Sequence, residues 1–185
     1  MYFKEVLGHK KLKKLLMQSI RESTVPHAQL FLGPKGSANL ALALAFAQYV
    51  ACKNKQQDDA CGICTSCVKH LKFVHPDLHF VFPVATTSNV KNKPLSKNFL
   101  IEWRSLLDDN PYFSLFDWLK HIGVENKQGL ISVEESVHVL KDLSLKPYEG
   151  ETKIMLIWMP EKMNIQAANK LLKIIEEPPQ KTLFL

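Results

Sequence analysis

Short apolar runs alternate along this chain with longer segments whose apolar residues recur at helical spacing. The apolar runs predict four β-strands, at residues 29–32, 78–82, 153–158 and 183–185. Helical spacing predicts amphipathic helices over residues 3–22 and from Asn164 to the residues before Pro178. Residues 39–51 are apolar on nearly every face, and their alanine and leucine content favours a buried helix. Strands that alternate with helices indicate an α/β fold with a parallel sheet covered on both faces.

The stretch between the second and third predicted strands is more polar. Residues 83–95 contain Pro, Asn, Ser and Lys and predict a loop, and residues 97–121 predict two helices divided near Asn110. The segment from Ser132 to Glu135 is typical of a capping box, in which each of these side chains bonds to the other residue's backbone amide. This pattern predicts that a further helix begins there.

The turn after the first predicted strand resembles a phosphate-binding loop that has lost its functional residues. The working pattern is G-x-x-x-x-G-K-[ST], in which backbone amides and the lysine hold phosphates and the hydroxyl binds magnesium. The eight positions are occupied here by Gly33, Pro34, Lys35, Gly36, Ser37, Ala38, Asn39 and Leu40. Ala38 replaces the second glycine, Asn39 replaces the lysine and Leu40 replaces the hydroxyl residue. Taken alone, the segment equally suits a plain strand–turn–helix without nucleotide chemistry.

The third predicted strand shows a matching loss at its end. In P-loop ATPases a strand of this kind ends in acidic residues that hold magnesium and polarise the attacking water. Here the strand ends with Trp158 and Met159, and Glu161 is predicted to lie on the surface. Because both halves of such a site lack their chemistry, the sequence favours a former nucleotide site that binds no ATP.

Four cysteines, which are all the cysteines of the chain, lie at Cys52, Cys61, Cys64 and Cys67. Four thiolates at this spacing suit tetrahedral zinc with no open position, which is a structural site. An iron–sulfur cluster also takes four cysteines, but no proline follows the last one and nothing else indicates redox chemistry. Disulfides do not suit a cytoplasmic chain. The sequence therefore predicts structural zinc, with the nearby His70 and His75 as polar residues outside the site.

Composition limits the remaining possibilities. The 185 residues are 46% hydrophobic and 23% charged, which is an ordinary balance for one globular domain. The sequence has no apolar run long enough to cross a bilayer and no signal peptide, so we expect a cytoplasmic protein without a membrane partner. The net charge of +6 is compatible with nucleic acid. An alternative is therefore a zinc-knuckle nucleic-acid-binding module, which would use the lysines near the cysteines, namely Lys53, Lys55, Lys69 and Lys72.

Four further stretches are similar in sequence to those of one known protein family. They are residues 3–9, 27–34, 75–78 and 169–179, the last of which contains the run Leu-Leu-Lys-Ile-Ile-Glu-Glu-Pro-Pro. Together with four cysteines placed after the helix of the phosphate loop, they resemble subunits of the bacterial replicative clamp loader. The resemblance covers nearly the whole chain, and residues 83–130 match it least. It implies an AAA+ fold of the P-loop type, a parallel sheet flanked by helices with a small zinc-binding insertion at residues 52–67.

Within that family the chain resembles the delta prime subunits, because the gamma/tau motor subunits keep an intact phosphate loop and an acidic strand end. The resemblance implies a non-hydrolysing scaffold subunit without catalytic residues, which supports ATP-driven loading of the sliding clamp in the DNA polymerase III holoenzyme. The implied partners are the delta and gamma/tau subunits, with the sliding clamp and primer-template DNA contacted through the complex. An ATP-binding motor-type subunit is the enzymatic alternative.

The last residues of the chain predict the beginning of a core strand. We therefore expect residues 1–185 to be the N-terminal, nucleotide-binding-like domain of a longer protein, truncated at that strand. The resemblance implies that lid and collar domains follow, together with a Ser-Arg-Cys motif that supplies an arginine finger to a neighbouring subunit.

Overall fold

A three-stranded parallel sheet forms the centre of the protein in a computed structural model that describes residues 1–34 and 36–185. Strands β1 (Leu78–Val81), β2 (Lys153–Ile157) and β3 (Thr182–Phe184) lie in that order across the sheet. In its register, Leu78 is paired with Ile154, which is also paired with Leu183. Because the strands are parallel, their carboxyl ends share one edge of the sheet.

Helices cover both faces of the sheet. Within the described residues they are α1 (Lys10–Arg21), α2 (Asn39–Ala51), α3 (Thr65–Leu71), α4 (Leu100–Asp109), α5 (Leu115–His121), α6 (Val133–Ser144) and α7 (Ile165–Glu176). One core contains α2 with Phe46 and α4 with Trp103, and a second core contains α6 with Val139 and α7 with Leu171. The predicted α/β fold with a parallel sheet flanked by helices is thus confirmed. Across the described part of the chain, every helix is too short or too polar to cross a membrane.

Several predicted elements have the expected bounds. Helix α2 occupies residues 39–51 and is buried over almost its whole length. Helix α7 is capped by Asn164, whose side-chain Oδ1 accepts a hydrogen bond of 2.7 Å from the amide of Ala167. The helical division predicted near Asn110 is also present, since α4 ends at Asp109 and α5 begins at Leu115.

The helix predicted over residues 3–22 is confirmed for its second part, at Lys10–Arg21, but its beginning is wrong. A short 3-10 turn at Phe3–Glu5 precedes a break, and the α-helix begins only at Lys10. The break lies at Gly8 and His9, which both have positive φ angles, of 67° and 53°. Because two successive left-handed residues interrupt helical hydrogen bonding, the apolar spacing continues across a segment that is not helical.

The buried strand predicted at residues 29–32 is also wrong. Only Ala28 forms a bridge to the sheet, opposite Phe184, and the amide of Gln29 donates to the Phe184 carbonyl. Leu30 and Leu32 are 74% and 85% exposed. No strand within the described residues pairs with this segment beyond Ala28 and the Gln29 amide. Leu30 and Leu32 therefore stay exposed, whereas Phe31 packs against Phe46 of α2, with ring centroids 6.1 Å apart.

The capping box predicted from Ser132 to Glu135 does not form. Ser132 precedes α6, but its side chain makes no capping bond. Glu135 instead is buried, and its Oε2 accepts a hydrogen bond of 2.7 Å from the amide of Ser96. Burial raises the pKa of Glu135 to about 7, although the Ser96 amide opposes this change. The carboxyl group thus links α6 to the segment that precedes α4.

The Glu135→Gln substitution is expected to stabilise the protein at pH 8 by about 2 kcal/mol, the order implied by a pKa raised this far. The folded protein holds the Glu135 proton more tightly than the unfolded chain. The wild-type free energy of unfolding therefore falls as the pH rises from about 4.5 through 7. Glutamine does not ionise, so the variant lacks this pH dependence. Urea titrations at several pH values measure it. Glu125→Gln, at an exposed position, is the matched control; equal pH profiles for wild type and Glu135→Gln would contradict the burial argument.

Candidate metal centre and phosphate-loop region

The side chains of Cys52, Cys61, Cys64 and Cys67 converge on one point, as the spacing predicts. Their sulfur atoms all lie within 4.8 Å of one another, and the Sγ atoms of Cys61 and Cys67 are 3.9 Å apart. Tetrahedral zinc with Zn–S bonds of about 2.3 Å requires sulfurs about 3.8 Å apart. The cluster therefore fits a tetrahedral metal held by four thiolates, and it leaves no position for a substrate or for catalytic water.

Local structure brings the cysteines together. Cys52 ends α2, Cys64 caps the amino end of α3, and Cys67 lies in the first turn of that helix. Amide groups point at the sulfurs: Cys61 N lies 3.3 Å from Cys52 Sγ, and Cys67 N lies 3.4 Å from Cys64 Sγ. Gly62 has a φ of 77°, and an added Cβ there would lie 2.1 Å from the hydroxyl of Tyr2. Glycine avoids both the backbone strain and the close contact at this position.

The environment of the sulfurs differs from one cysteine to the next. Burial raises the pKa of Cys52 and of Cys67, so these thiols resist ionisation without a bound cation. Burial also opposes ionisation of Cys64, but hydrogen bonds from backbone amides outweigh it and lower the pKa to about 6. Metal binding to this cluster would therefore release protons, chiefly from the two buried thiols.

The residues around the cluster have structural contacts. His70 and His75 are buried beside each other with ring centroids 4.6 Å apart, and neither belongs to the sulfur cluster. Burial, with His75 as a second cause, lowers the pKa of His70 to about 3. Of the lysines considered for nucleic acid, Lys55 donates to the Cys52 carbonyl and Lys69 pairs with Glu149. Two of the four cations are thus engaged within the protein.

The amino-terminal segment is hydrogen-bonded to the cysteine-containing insertion, and the sequence did not predict this contact. The carboxylate of Asp59 accepts hydrogen bonds from the amides of Phe3, at 3.2 Å, and Lys4, at 3.0 Å. Farther along, the Arg21 guanidinium donates to the Gln57 carbonyl. Hydrogen bonds to Asp59 and Gln57 thus help to hold the amino-terminal segment and α1 on the domain.

The phosphate-loop region leads into a helix, and two uncharged side chains lie against its first glycine. Helix α2 starts at Asn39, and Ala38 and Leu40 are buried in the core. The Ser37 hydroxyl donates to Asn39 Oδ1 at 2.9 Å. These two side chains lie against Gly33, where an added Cβ would be 2.5 Å from Ser37 Oγ and 2.8 Å from Asn39 Oδ1. The side of Gly33 on which a Cβ would project is thus occupied by these two side chains, while Gly33 itself remains exposed.

Two other predicted members of the loop are exposed, and one cannot be described. Pro34 and Gly36 face solvent, and the Ser37 amide donates to the Pro34 carbonyl in a turn. Gly36 has a φ of 79°, a conformation that glycine adopts without strain. Lys35 lies outside the described residues.

The end of β2 has aromatic packing where a nucleotide site has acids. The ring of Trp158 lies 5.3 Å from that of Trp103 and 5.2 Å from that of Phe113, measured between centroids. Met159 adopts a left-handed conformation, with a φ of 57°, and begins a 3-10 turn that carries the exposed Glu161. Trp158 directly follows β2, and the chain from Ala28 leads to Gly33, so both regions lie at the carboxyl edge of the sheet.

The protein is similar to known replication proteins over nearly its full length. The profile of a family described as DNA polymerase III, delta subunit, matches residues 8–185. The DNA polymerase III subunit delta' of Yersinia pestis is 29% identical over 86% of this chain, and the delta' subunit of Bacillus subtilis is 26% identical over 92%. The DNA polymerase III subunit tau of Bacillus subtilis is 24% identical over 99% of the chain.

These relatives are much longer than the chain. The matched region spans 35% and 38% of the two delta' subunits and 25% of the tau subunit. Both kinds of subunit match at similar identity, so overall similarity does not decide between them. The residues at the phosphate loop and at the end of β2 have to make that distinction.

Proposed function

The chain belongs to the family of DNA polymerase III delta subunits, and from this premise we propose that it is part of a non-hydrolysing scaffold subunit of the replicative clamp loader. Its AAA+-type domain contributes a rigid body against which motor subunits move. The partners are the delta and gamma/tau subunits, and the sliding clamp and primer-template DNA are reached through the complex. The role resembles that of the delta' subunits more than that of the gamma/tau subunits.

The uncharged side chains of Asn39 and Leu40 at the start of α2 are the observation that carries this proposal. Phosphate oxygens need free backbone amides and a lysine at the start of the helix, and Ser37 and Asn39 take up the space beside Gly33 with uncharged side chains. Trp158 supports the same conclusion, since an indole among aromatic rings can neither bind magnesium nor polarise water. A protein with these residues has no means to hold or hydrolyse ATP, so we propose that it is not an enzyme.

Zinc is the metal that we propose for the four cysteines. Four sulfurs at tetrahedral spacing favour zinc over harder cations, and a closed site gives it a structural role. Cys52, Cys61, Cys64 and Cys67 would hold it, and it would join the end of α2 to the beginning of α3. It supplies no reaction chemistry, because no coordination position is left for a substrate.

The protein is expected to give no binding heat with Mg·ATP in isothermal titration calorimetry, even at millimolar nucleotide. The double substitution Asn39→Lys and Leu40→Thr is expected to leave hydrolysis undetectable, since Trp158 and Met159 still supply no acid at the end of β2.

A P-loop ATPase with known affinity, titrated under the same conditions, is the positive control. Micromolar binding of ATP by the unchanged chain would contradict the scaffold proposal and favour the motor-type alternative. Circular dichroism of the double variant shows whether the buried Leu40 position tolerates threonine, so that loss of folding is not mistaken for lack of activity.

A further inference from the structure

The exposed side of α1 combines positive charge with leucine side chains. This α1 surface consists of Lys10, Lys11, Lys14, Leu12 and Leu15 on the helix and Leu7 just before it. Helix α1 has five basic residues and no acidic one. Its opposite side, with Leu16 and Met17, is buried against the domain.

Helical geometry places the cations and the leucines side by side. Residues three and four apart are neighbours on a helix, so Lys11 lies next to both Lys14 and Leu15, and Lys10 lies next to Lys14. Leu7 is held close to this helix because the Lys13 ammonium donates to the carbonyl of Val6. The amide of Leu7 donates to the hydroxyl of Tyr112 at 3.0 Å, which fixes the segment from its other side. The surface is therefore a fixed part of the fold.

The pattern differs from that of a helix that only faces solvent. Solvated helices usually mix charges of both signs, so that acids and bases pair along the surface. Within the described residues the ion pairs involve Lys69, His79 and Lys93, and none includes a residue of α1. Leu7 and Leu15 are 73% and 62% exposed. One exposed leucine is ordinary, but several beside unpaired cations indicate a surface that is covered by a partner.

We propose that the α1 surface binds an acidic, amphipathic segment of another protein. Apolar side chains of the partner pack on Leu7, Leu12 and Leu15, and its carboxylates pair with the surrounding lysines. Nucleic acid would match the charge as well, but contacts with a phosphate backbone use cations, polar groups and amides and give exposed leucines no role. The α1 surface shares no residue with the phosphate loop or the cysteine cluster, so binding there is independent of the proposed function.

A labelled synthetic peptide of about four helical turns, with leucine on one face and glutamate on the other, is the probe. Fluorescence anisotropy with the whole 185-residue chain is expected to show saturable binding that weakens as salt is raised. The double substitution Lys10→Glu and Lys14→Glu is expected to weaken binding about tenfold or more, and Leu15→Ser about fivefold. All three positions are exposed, so folding should be unchanged.

The matched control is the double substitution Lys170→Glu and Lys173→Glu, at two exposed lysines on α7, which is expected to change the affinity less than about twofold. Absence of binding, or equal binding by a peptide with serine in place of leucine, would overturn the inference. Tighter binding of a single-stranded oligonucleotide through the same lysines would also overturn it and identify nucleic acid as the ligand. Loss of peptide binding in both the charge variant and Leu15→Ser, but not in the α7 control, would establish it.

Discussion

Substitution of Cys67 by serine is expected to abolish stoichiometric zinc binding and to lower the free energy of unfolding by roughly 3–5 kcal/mol, the scale of a native covalent cross-link in a small domain. Cys67 is fully buried, and its sulfur lies 3.9 Å from that of Cys61. A serine hydroxyl is a poor zinc ligand, so three thiolates would remain around a metal that requires four ligands. Elemental analysis of the purified protein and urea unfolding measure the two effects.

The control is Thr65→Ala, which changes an exposed residue of the same helix and should leave the metal content at one equivalent per chain. Amide hydrogen exchange offers an independent measurement. Without the metal, Asp59 is no longer held in place, and the amides of Phe3 and Lys4 should exchange faster. A purified protein that contains iron and sulfide, or a Cys67→Ser variant with full zinc content, would show that the metal assignment is wrong.

The strands and helices that the sequence predicts correctly are those buried on several sides. The run from Lys153 to Ile157 lies between two other strands, so its apolar residues are covered by neighbouring elements and their burial stabilises the strand. The equally apolar residues 29–32 are not a strand because their hydrogen bonding to β3 stops at Gln29 and leaves Leu30 and Leu32 exposed. An apolar sequence shows that a segment could be buried, but whether other elements cover it depends on the fold.

Side-chain networks are predictable when their partners are close in sequence. Cysteine spacing predicts the sulfur cluster because three of the four ligands fall within seven residues, Cys61 to Cys67. The Glu135 carboxylate, by contrast, accepts a hydrogen bond from the Ser96 amide and not from the amide of the serine three residues before it. The Asp59 carboxylate likewise accepts a hydrogen bond from the amide of Phe3, near the amino terminus. In both cases a contact distant in sequence replaces or adds to the local one, and no periodicity reveals it.

Asp77 is the most heavily hydrogen-bonded of these distant contacts. It is almost fully buried, and its carboxylate accepts hydrogen bonds from the amides of Tyr148, Glu149 and Gly150 at 2.5 to 2.9 Å. Burial alone would raise the pKa of Asp77, but the three backbone amides outweigh it and hold the pKa below its ordinary value. One carboxylate thereby joins the beginning of β1 to the loop that leads into β2.

Asp77→Asn is expected to lower the free energy of unfolding at pH 7 by about 2–4 kcal/mol, because an amide cannot accept three backbone hydrogen bonds as a carboxylate does. The pKa of Asp77 is lowered in the folded protein, so its stabilising effect is complete above pH 4 and declines as the pH falls through that lowered pKa. The difference between wild type and variant should therefore be constant from about pH 7 to 5 and shrink toward pH 3. Urea unfolding across this range measures it.

Asp109→Asn serves as the comparison, since Asp109 ends α4 at an exposed position, and its effect should stay within about 0.5 kcal/mol. The two variants have the same change in charge, so any difference between them reflects the hydrogen bonds of Asp77. If Asp77→Asn is no more destabilising than Asp109→Asn, the loop at residues 148–150 is held by other contacts. A full effect that persists unchanged to pH 3 would instead show that the carboxylate does not titrate as its surroundings require.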